Sequence, residues 1–247
     1  MGGLVSAGLS LSSVGASGQT PTTNPQSQAI PRAADGHPDF SGIWQAMTAA
    51  SFDIQDHVAR KGVPAGQGVV EGNEVPYLPA AAAKKDEHAR NPAADPLDKC
   101  YLPGVPRSMY MPFPFQIVQT SKYIVMLFEY AHAVREVYMG SPHPPGHIDY
   151  WMGDSRGRWE GDTLVVDVID FTDQTWFDKA GNFHSEALHL IERYTLVDAD
   201  HIDYQVRIED PKVFTKPWQM QVMLYRHKER DFQLLEYECY TFGGDAR

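Results

Sequence analysis

A succession of short strand-like segments, separated by turns, limits the possible folds of this chain more than any other feature. Apolar residues alternate with polar ones or run together over 113–120, 123–130, 133–139, 156–159, 163–171, 188–196, 202–209, 218–225 and 234–240. Short turns such as Glu160-Gly161-Asp162 join several of these segments, as in antiparallel hairpins. Strands do not alternate with helices, which disfavours a parallel α/β fold. We predict a mainly β fold, an antiparallel meander that closes into a barrel or a strongly curled sheet.

The first half of the chain is less regular. Residues 38–47 read as a turn that leads into a first strand, whereas residues 51–106 are irregular and contain many Gly and Pro residues. The run PAAAAKKDEHA at 79–89 predicts a short helix, because proline suits the first helical turn and good helix formers follow it. We predict a single β-barrel-like domain over residues 35–247, in which 51–106 is a long excursion that covers part of the domain.

Residues 1–34 form a low-complexity start that is predicted to be a disordered tail or the remnant of a signal peptide. The first twenty residues are weakly apolar and uncharged, and the part ending near Ala16 has the small residues of a secretory signal. A basic start to that segment is missing, so a plain disordered tail remains the alternative. We predict export, to the periplasm or to the outside of the cell.

The charge of the chain restricts its partners. The formal net charge is −11, and no dense run of Lys or Arg is present. Such a chain lacks the basic surface that displaces counterions from nucleic acids or docks on anionic membranes. No apolar run approaches the ~20 residues that cross a bilayer. We expect a small-molecule partner, with no nucleic acid and no membrane, and the sequence leaves the oligomeric state open.

Two cysteines, Cys100 and Cys239, are far apart in the sequence. This separation excludes a CxxC redox or zinc motif. In an exported protein the two would naturally form one disulfide, worth about 4–5 kcal/mol in the chain-entropy model. Two buried free thiols are the alternative.

The segment 140–192 concentrates the side chains that carry chemistry. It contains four of the ten histidines and three of the five tryptophans, together with several carboxylates. Imidazole, carboxylate and indole groups together are typical of a small-molecule site. The predicted catalytic residues are His184, His189 and Glu192, with His143 assisting.

Glu192 interrupts the apolar face of the predicted strand 188–196. If this segment is a strand whose inward face carries Glu192, desolvation makes Glu192 a candidate general acid or base, while His189 and Arg193 lie on the opposite face; the sequence leaves open which face looks inward. If residues 185–193 are instead helical, His189 and Arg193 share a helix face with Glu186. A structural Glu–Arg pair that braces the sheet, with His189 on the surface, is equally open.

A second cluster is His143-Pro-Pro-Gly-His147, followed by Asp149. Two imidazoles and a carboxylate could bind Zn or Cu, with His184 or His189 as a distant third ligand. The spacing matches no strong metal motif, and a proline-rich loop with incidental histidines is the simpler interpretation. We predict no cofactor, and a divalent metal held by His143, His147 and His184 is the alternative.

Several side chains could bind a substrate. An arginine fork suits a carboxylate or another polar group, and an indole can stack on an aromatic or sugar ring. Glu129 could also pair with Arg135 across a turn, in a structural role. The predicted substrate-binding residues are Arg193, Arg156, Asp154, Trp151, Trp176 and Tyr130.

Two family resemblances are present. Phe40-Ser41-Gly42-Ile43-Trp44 resembles the GxW that opens the first strand of lipocalin-type barrels. The strings CYLPGVPR, PFPFQIVQT, GRWEGDTLVVDVIDF, HSEALHLIERYT and EDPKVFTKPW resemble a large family of exported bacterial β-rich proteins of uncharacterised activity. That second resemblance extends over about 38–240 and implies export and a β-rich fold. It carries over no catalytic residue.

Three functions are consistent with these observations. The leading hypothesis is an exported hydrolase or lyase that acts on a carbohydrate or an aromatic compound by His/Glu acid–base chemistry in a barrel cavity. The alternatives are a non-catalytic, lipocalin-like protein that binds a small ligand, and a metalloenzyme with histidine ligands. Motifs for serine hydrolases, P-loop NTPases and nicotinamide enzymes are absent from the sequence.

Overall fold

A computed structural model describes residues 1–2 and 29–239 of the chain. The predicted signal-like segment therefore lies almost entirely outside the described residues. Nine strands form a closed barrel in which each strand pairs with its neighbours in sequence and the last pairs with the first. They are β1 Gly42–Ala46, β2 Phe115–Gln119, β3 Tyr123–Phe128, β4 Val134–Met139, β5 Asp154–Glu160, β6 Thr163–Ile169, β7 His189–Leu196, β8 His201–Glu209 and β9 Trp218–Arg226. The prediction of a mainly β, barrel-like fold is confirmed.

The barrel departs from an antiparallel meander at one pair of strands. β4 and β5 run parallel, whereas the other neighbouring strands are antiparallel. A short hairpin forces antiparallel pairing, but the long connection 140–153 gives the chain room to return before β5 begins. This parallel pair joins only Val137, Tyr138 and Met139 to Ser155, Arg156 and Gly157.

The inward-facing side chains fill the barrel. On β7 and β8, alternate residues are almost fully buried because successive side chains of a strand point to opposite faces. The buried interior joins apolar side chains from eight of the nine strands, such as Trp44, Phe115, Val166 and Leu224, and β5 adds the partly buried Trp159. The space in which small barrels of this kind can hold a ligand is thus occupied by packed side chains.

The tight turn between β5 and β6 is formed as the sequence predicts. Glu160 pairs with Thr163 across the turn, and Gly161 has φ of +61°, a conformation that glycine adopts at no steric cost. The segment 234–240 behaves differently from the prediction. Residues 234–238 are irregular apart from a bridge between Tyr237 and Tyr130, and Tyr240 lies outside the described residues.

The excursion before β2 wraps one side of the barrel. It contains α1 Pro79–Arg90 and the 3-10 helices Glu71–Asn73, Pro92–Ala94, Pro96–Lys99 and Arg107–Tyr110. Pro79 occupies the first turn of α1, as predicted. Val70 bridges to Met220 and Tyr77 bridges to Phe214, so the excursion is attached to the barrel by backbone hydrogen bonds. Within the described residues, no helix is long and apolar enough to cross a membrane.

Cys100 and Cys239 form a disulfide, as predicted, with their Cα atoms 5.5 Å apart. The bond joins the last described residue, Cys239, to the turn that follows the helix Pro96–Lys99. The adjacent cluster of Leu97, Met111 and Tyr130 is buried beneath this connection. Disulfides persist in oxidising compartments, which is consistent with a protein that functions outside the reducing cytoplasm.

Candidate functional site

Glu192 lies inside the barrel, in the strand β7 rather than in a helix. It is fully buried and pairs with Arg135 of β4, whose two terminal nitrogens both contact the carboxylate. Tyr194 and Tyr204 donate hydrogen bonds of 3.0 and 2.7 Å to Glu192 Oε1. The partner of Arg135 is therefore Glu192, and the predicted pairing of Arg135 with Glu129 is wrong. Glu129 instead accepts a hydrogen bond from the backbone of Leu235.

The buried pair is fully satisfied. Arg135 Nε donates to Ser155 Oγ over 3.0 Å, so all three nitrogens of the guanidinium have hydrogen-bond partners. Burial is the largest single influence on Arg135 and lowers its pKa, but the charges of Glu192 and Tyr194 and the hydrogen bond to Glu192 together outweigh burial, so the net pKa is raised. Burial also raises the pKa values of Tyr194 and Tyr204 well above 10.0. This arrangement braces the barrel interior and leaves Glu192 engaged by three partners.

His184 lies apart from Glu192, in the connection between β6 and β7. Its Nδ1 is 2.9 Å from the Ser185 carbonyl and must donate to it, so Nε2 accepts from the Thr175 hydroxyl at 2.6 Å. Phe171 and Phe177 pack around the ring. Burial lowers the pKa of His184, which favours a neutral imidazole. In this position His184 supports the connection.

His143 and His189 meet on the outer face of the barrel, and we call the four residues His143, His189, Asp154 and Asp167 the outer cluster. His143 Nδ1 is 2.5 Å from Asp154 and its Nε2 is 3.0 Å from Asp167 Oδ1. His189 Nε2 lies 3.2 Å from the same Asp167 oxygen. Of the four predicted catalytic residues, the structure thus brings together only His143 and His189.

The outer cluster is electrostatically coupled. The hydrogen bond with Asp167 raises the pKa of His189, and the hydrogen bond with His189 lowers the pKa of Asp167. Burial raises the pKa of Asp154, but hydrogen bonds from Arg156 and His143 outweigh burial, so the net pKa is lowered. Both ring nitrogens of His143 are bound to carboxylates. A substrate would have to displace one of these carboxylates before it could contact a ring nitrogen of His143.

A groove of about 530 Å³ lies beside the outer cluster, where β4 and β5 separate. Because the two strands pair over only three residues, the first half of β4 faces the loop 149–153 instead of a strand. We call this cavity the β4–β5 groove. Its lining residues are Leu102, Val134, Arg135, Glu136, Tyr138, Asp149, Tyr150, Trp151, Met152, Gly153, Asp154, Ser155 and Arg156.

Two polar groups of the β4–β5 groove, Arg156 and Asp154, are held in fixed positions. Arg156 binds Asp154 with two hydrogen bonds of 2.7 and 2.6 Å and donates a third, of 3.1 Å, to Ser141. The guanidinium carbon lies 4.6 Å from the centroid of the Tyr138 ring. Trp151 contacts Tyr101 on the rim, with ring centroids 5.0 Å apart.

Several apolar side chains at the groove remain open to solvent. Val134 is 51% exposed and Tyr150 is 38% exposed, and Tyr101 at the rim is 46% exposed. Exposed apolar groups gathered around a concave surface are a signal of ligand or partner binding. The volume of the β4–β5 groove and the residue types that line it fall within the range of small-molecule sites.

Three of the predicted substrate-binding residues, Asp154, Trp151 and Arg156, line this groove. Sequence reasoning missed the residues that β4 contributes, Val134, Glu136 and Tyr138. Their outward orientation follows from strand parity opposite Arg135 and Val137. The sequence signal was present, but nothing local showed that this half of β4 lacks a neighbouring strand.

The other three predicted substrate-binding residues lie elsewhere. Arg193 pairs with Glu160 on the outer surface. Trp176 is buried beneath α1, where it stacks on His88 at a centroid distance of 4.2 Å. Tyr130 is buried and donates to the Leu97 carbonyl beside the disulfide. Each has a structural role in this arrangement.

The three histidines of the alternative metal site do not converge. His147 contacts Asp149 and Asp170, and the hydrogen bond with Asp170 raises its pKa. His143 belongs to the outer cluster and His184 is buried in the β6–β7 connection. Across residues 1–2 and 29–239, no group of three or more His, Cys, Asp or Glu residues is arranged to hold a metal ion.

Comparisons with known proteins do not indicate a function for this chain. No protein-family model matches the chain, and neither a curated protein nor a solved structure matches it. The resemblances to lipocalin-type barrels and to exported bacterial proteins therefore stay predictions. Any functional conclusion has to rest on the β4–β5 groove and its surroundings.

Proposed function

We propose that this protein acts outside the reducing cytoplasm and binds a small ring-containing organic molecule in the β4–β5 groove. One observation carries the proposal: exposed aromatic and apolar side chains surround a groove of about 530 Å³ that contains an already ordered Arg156–Asp154 pair. Tyr150 and Trp151 offer ring faces for stacking, and Arg156 and Asp154 form a rigid polar floor. Pre-ordered groups lower the entropic cost of binding.

This function adapts the lipocalin-like binding hypothesis to a different place on the barrel. Lipocalin-type proteins hold their ligands inside the barrel. Here the buried Arg135–Glu192 pair and the apolar side chains fill that space. Binding on the outer wall requires no rearrangement of this core.

Ligand capture tests the proposal. The purified protein is incubated with a mixture of sugars and phenolic compounds, and the retained molecules are identified by mass spectrometry. Tyr150→Ala is expected to lose most of the retained ligand, whereas Tyr225→Ala is expected to keep it. Tyr225 is a matched control because it is 41% exposed, close to the 38% of Tyr150, and lies on β9 outside the groove. Equal retention by both variants would place any binding elsewhere.

A hydrolase or lyase acting in the same groove is the second candidate. The specific observation in its favour is that Asp154, which lines the groove, holds Nδ1 of His143 at 2.5 Å. A carboxylate that orients an imidazole is a common element of acid–base catalysis. Recovery of a chemically changed ligand from the wild type, but an unchanged one from His143→Gln, would favour catalysis over binding alone.

The cellular location has a separate test. Thiols of the protein are alkylated in periplasmic and cytoplasmic fractions, with and without prior reduction, and the mass is measured. Export predicts that the protein is found in the periplasmic or extracellular fraction with Cys100 and Cys239 blocked until reduction. Protein confined to the cytoplasm with both thiols reactive would contradict export.

A further inference from the structure

The charges around the β4–β5 groove do not balance. Arg135 is neutralised by Glu192 in the barrel interior, and Arg156 is neutralised by Asp154 in a two-bond contact. Both cationic side chains of the groove are thus already paired within the protein. What remains to interact with a ligand is the set of other carboxylates.

Two carboxylates of the groove, Glu136 and Asp149, remain available to a ligand. Glu136 is exposed and accepts a hydrogen bond of 2.7 Å from the Tyr138 hydroxyl, but no described cationic residue forms an ion pair with it. Asp149 is 63% exposed at its side chain and contacts His147, which also contacts Asp170. One imidazolium between two carboxylates leaves a net negative charge even when His147 is protonated.

Aromatic rings stand beside these carboxylates. Tyr138, Tyr150 and Trp151 all line the groove, and Tyr138 already has the Arg156 guanidinium over its ring. The faces of aromatic rings attract cations, and cages of such rings next to carboxylates recognise organic ammonium groups. An anionic ligand would instead meet two like charges on a chain of net charge −11.

We infer that the β4–β5 groove takes a small organic cation, an amine or quaternary ammonium group carried on an aromatic or apolar body. The inference rests on the proposed binding function and gives the charge class of its ligand. It revises the expectation that Arg156 orients an anionic or polar substrate, since three of the five N–H donors of Arg156 are already used within the protein.

Three probes of similar size test the charge class: benzyltrimethylammonium, benzyl alcohol and phenylacetate. The intact protein is labelled with 5-fluorotryptophan and titrated with each probe while its ¹⁹F NMR spectrum is recorded. The resonance of Trp151 is assigned by its loss in Trp151→Phe. The cation is expected to shift this resonance with at least about fivefold higher affinity than the neutral probe, and the anion is expected to bind most weakly.

Charge-removal variants identify the groups responsible. Glu136→Gln and Asp149→Asn are each expected to weaken binding of benzyltrimethylammonium by about two- to fivefold. Binding of benzyl alcohol should change little in both variants. Glu71→Gln is the matched control, because Glu71 is exposed and lies in a 3-10 helix outside the groove. It should leave the affinity for the cation unchanged.

The outcomes separate this inference from the proposed function. Equal or tighter binding of benzyl alcohol or phenylacetate at Trp151 would overturn the cationic ligand class and leave binding in the groove intact. An equal effect of Glu71→Gln and Glu136→Gln would also overturn it, since only the net charge of the protein would then matter. No response of the Trp151 resonance to any probe would refute both the cationic ligand class and the proposed binding function.

Discussion

Replacing Arg135 by methionine is expected to destabilise the barrel by about 3–5 kcal/mol. The side chains of Arg135 and Glu192 are 1% and 0% exposed, so the variant leaves a carboxylate in the interior without its counter-charge. Tyr194 and Tyr204 still donate hydrogen bonds to Glu192, but two neutral donors do not replace a guanidinium. The loss would be a large fraction of the 5–15 kcal/mol by which domains are typically stable.

The double variant Arg135→Met/Glu192→Gln separates the unpaired charge from lost packing. The amide oxygen of glutamine can still accept the hydrogen bonds of Tyr194 and Tyr204, and no uncompensated charge remains. We expect the double variant to be about 2 kcal/mol more stable than Arg135→Met alone, because removing both charges of a buried pair costs less than removing one.

Equilibrium unfolding in urea at neutral pH, with the disulfide intact, measures these differences through the change in the transition midpoint. The control is the exposed pair Arg158–Glu160, in which the side chains are 53% and 41% exposed. Arg158→Met should cost at most about 1 kcal/mol. A loss of unfolding free energy below about 1 kcal/mol for Arg135→Met would refute the reasoning. A loss for the double variant equal to the sum of the losses for Arg135→Met and Glu192→Gln measured singly would also refute it.

Three further predictions concern groups outside the buried pair. Burial raises the pKa of Asp178 to about 6, above the ordinary 3.8. The contribution of Asp178 to the free energy of unfolding is therefore full below about pH 4 and falls by about 3 kcal/mol as pH rises through 6. A ¹³C NMR titration of the Asp178 carboxyl with a midpoint near 4 would contradict this. Replacing Cys100 and Cys239 by serine removes a cross-link between residues 139 apart, and the variant should lose about 5 kcal/mol of unfolding free energy in urea; a loss under 1 kcal/mol would argue against the cross-link. Asp167→Asn should lower the pKa of His189, measured by NMR, toward its ordinary 6.5, because the Asp167 hydrogen bond raises it. That bond stabilises the fold fully between the ordinary pKa values of Asp167, 3.8, and His189, 6.5; its contribution is lost as pH rises through the raised pKa of His189 and as pH falls through the lowered pKa of Asp167. An unchanged His189 titration would refute the coupling.

Local patterns in the sequence predicted the features that depend on neighbouring residues. The alternation along His189–Leu196 placed Glu192 on the same strand face as Leu190 and Tyr194, but it left open which face looks inward; in the structure this face is the buried one. Gly161 marked the turn between β5 and β6, and Pro79 marked the start of α1. Such features depend on backbone φ angles and on side-chain direction, and both are determined by a few neighbouring residues.

Contacts between distant segments were harder to predict from the sequence. The sequence suggested Glu129 as a partner of Arg135, whereas the closed barrel brings Glu192 across from β7. The parallel run of β4 and β5 was also missed, because the length of a connection permits either direction without choosing one. Trp176 was expected near a pocket, but the packing of α1 covers it.

The sequence alone determined that the chain forms strands, where most of them turn and which face of β7 is apolar, because these properties arise from alternation and backbone preferences over a few residues. The tertiary structure decided that His143 and His189 meet on the outer wall while His184 and Glu192 are buried apart from them. It also created the β4–β5 groove, which exists because two strands separate after three paired residues. Closure of the barrel sets these distances, and closure depends on all nine strands at once.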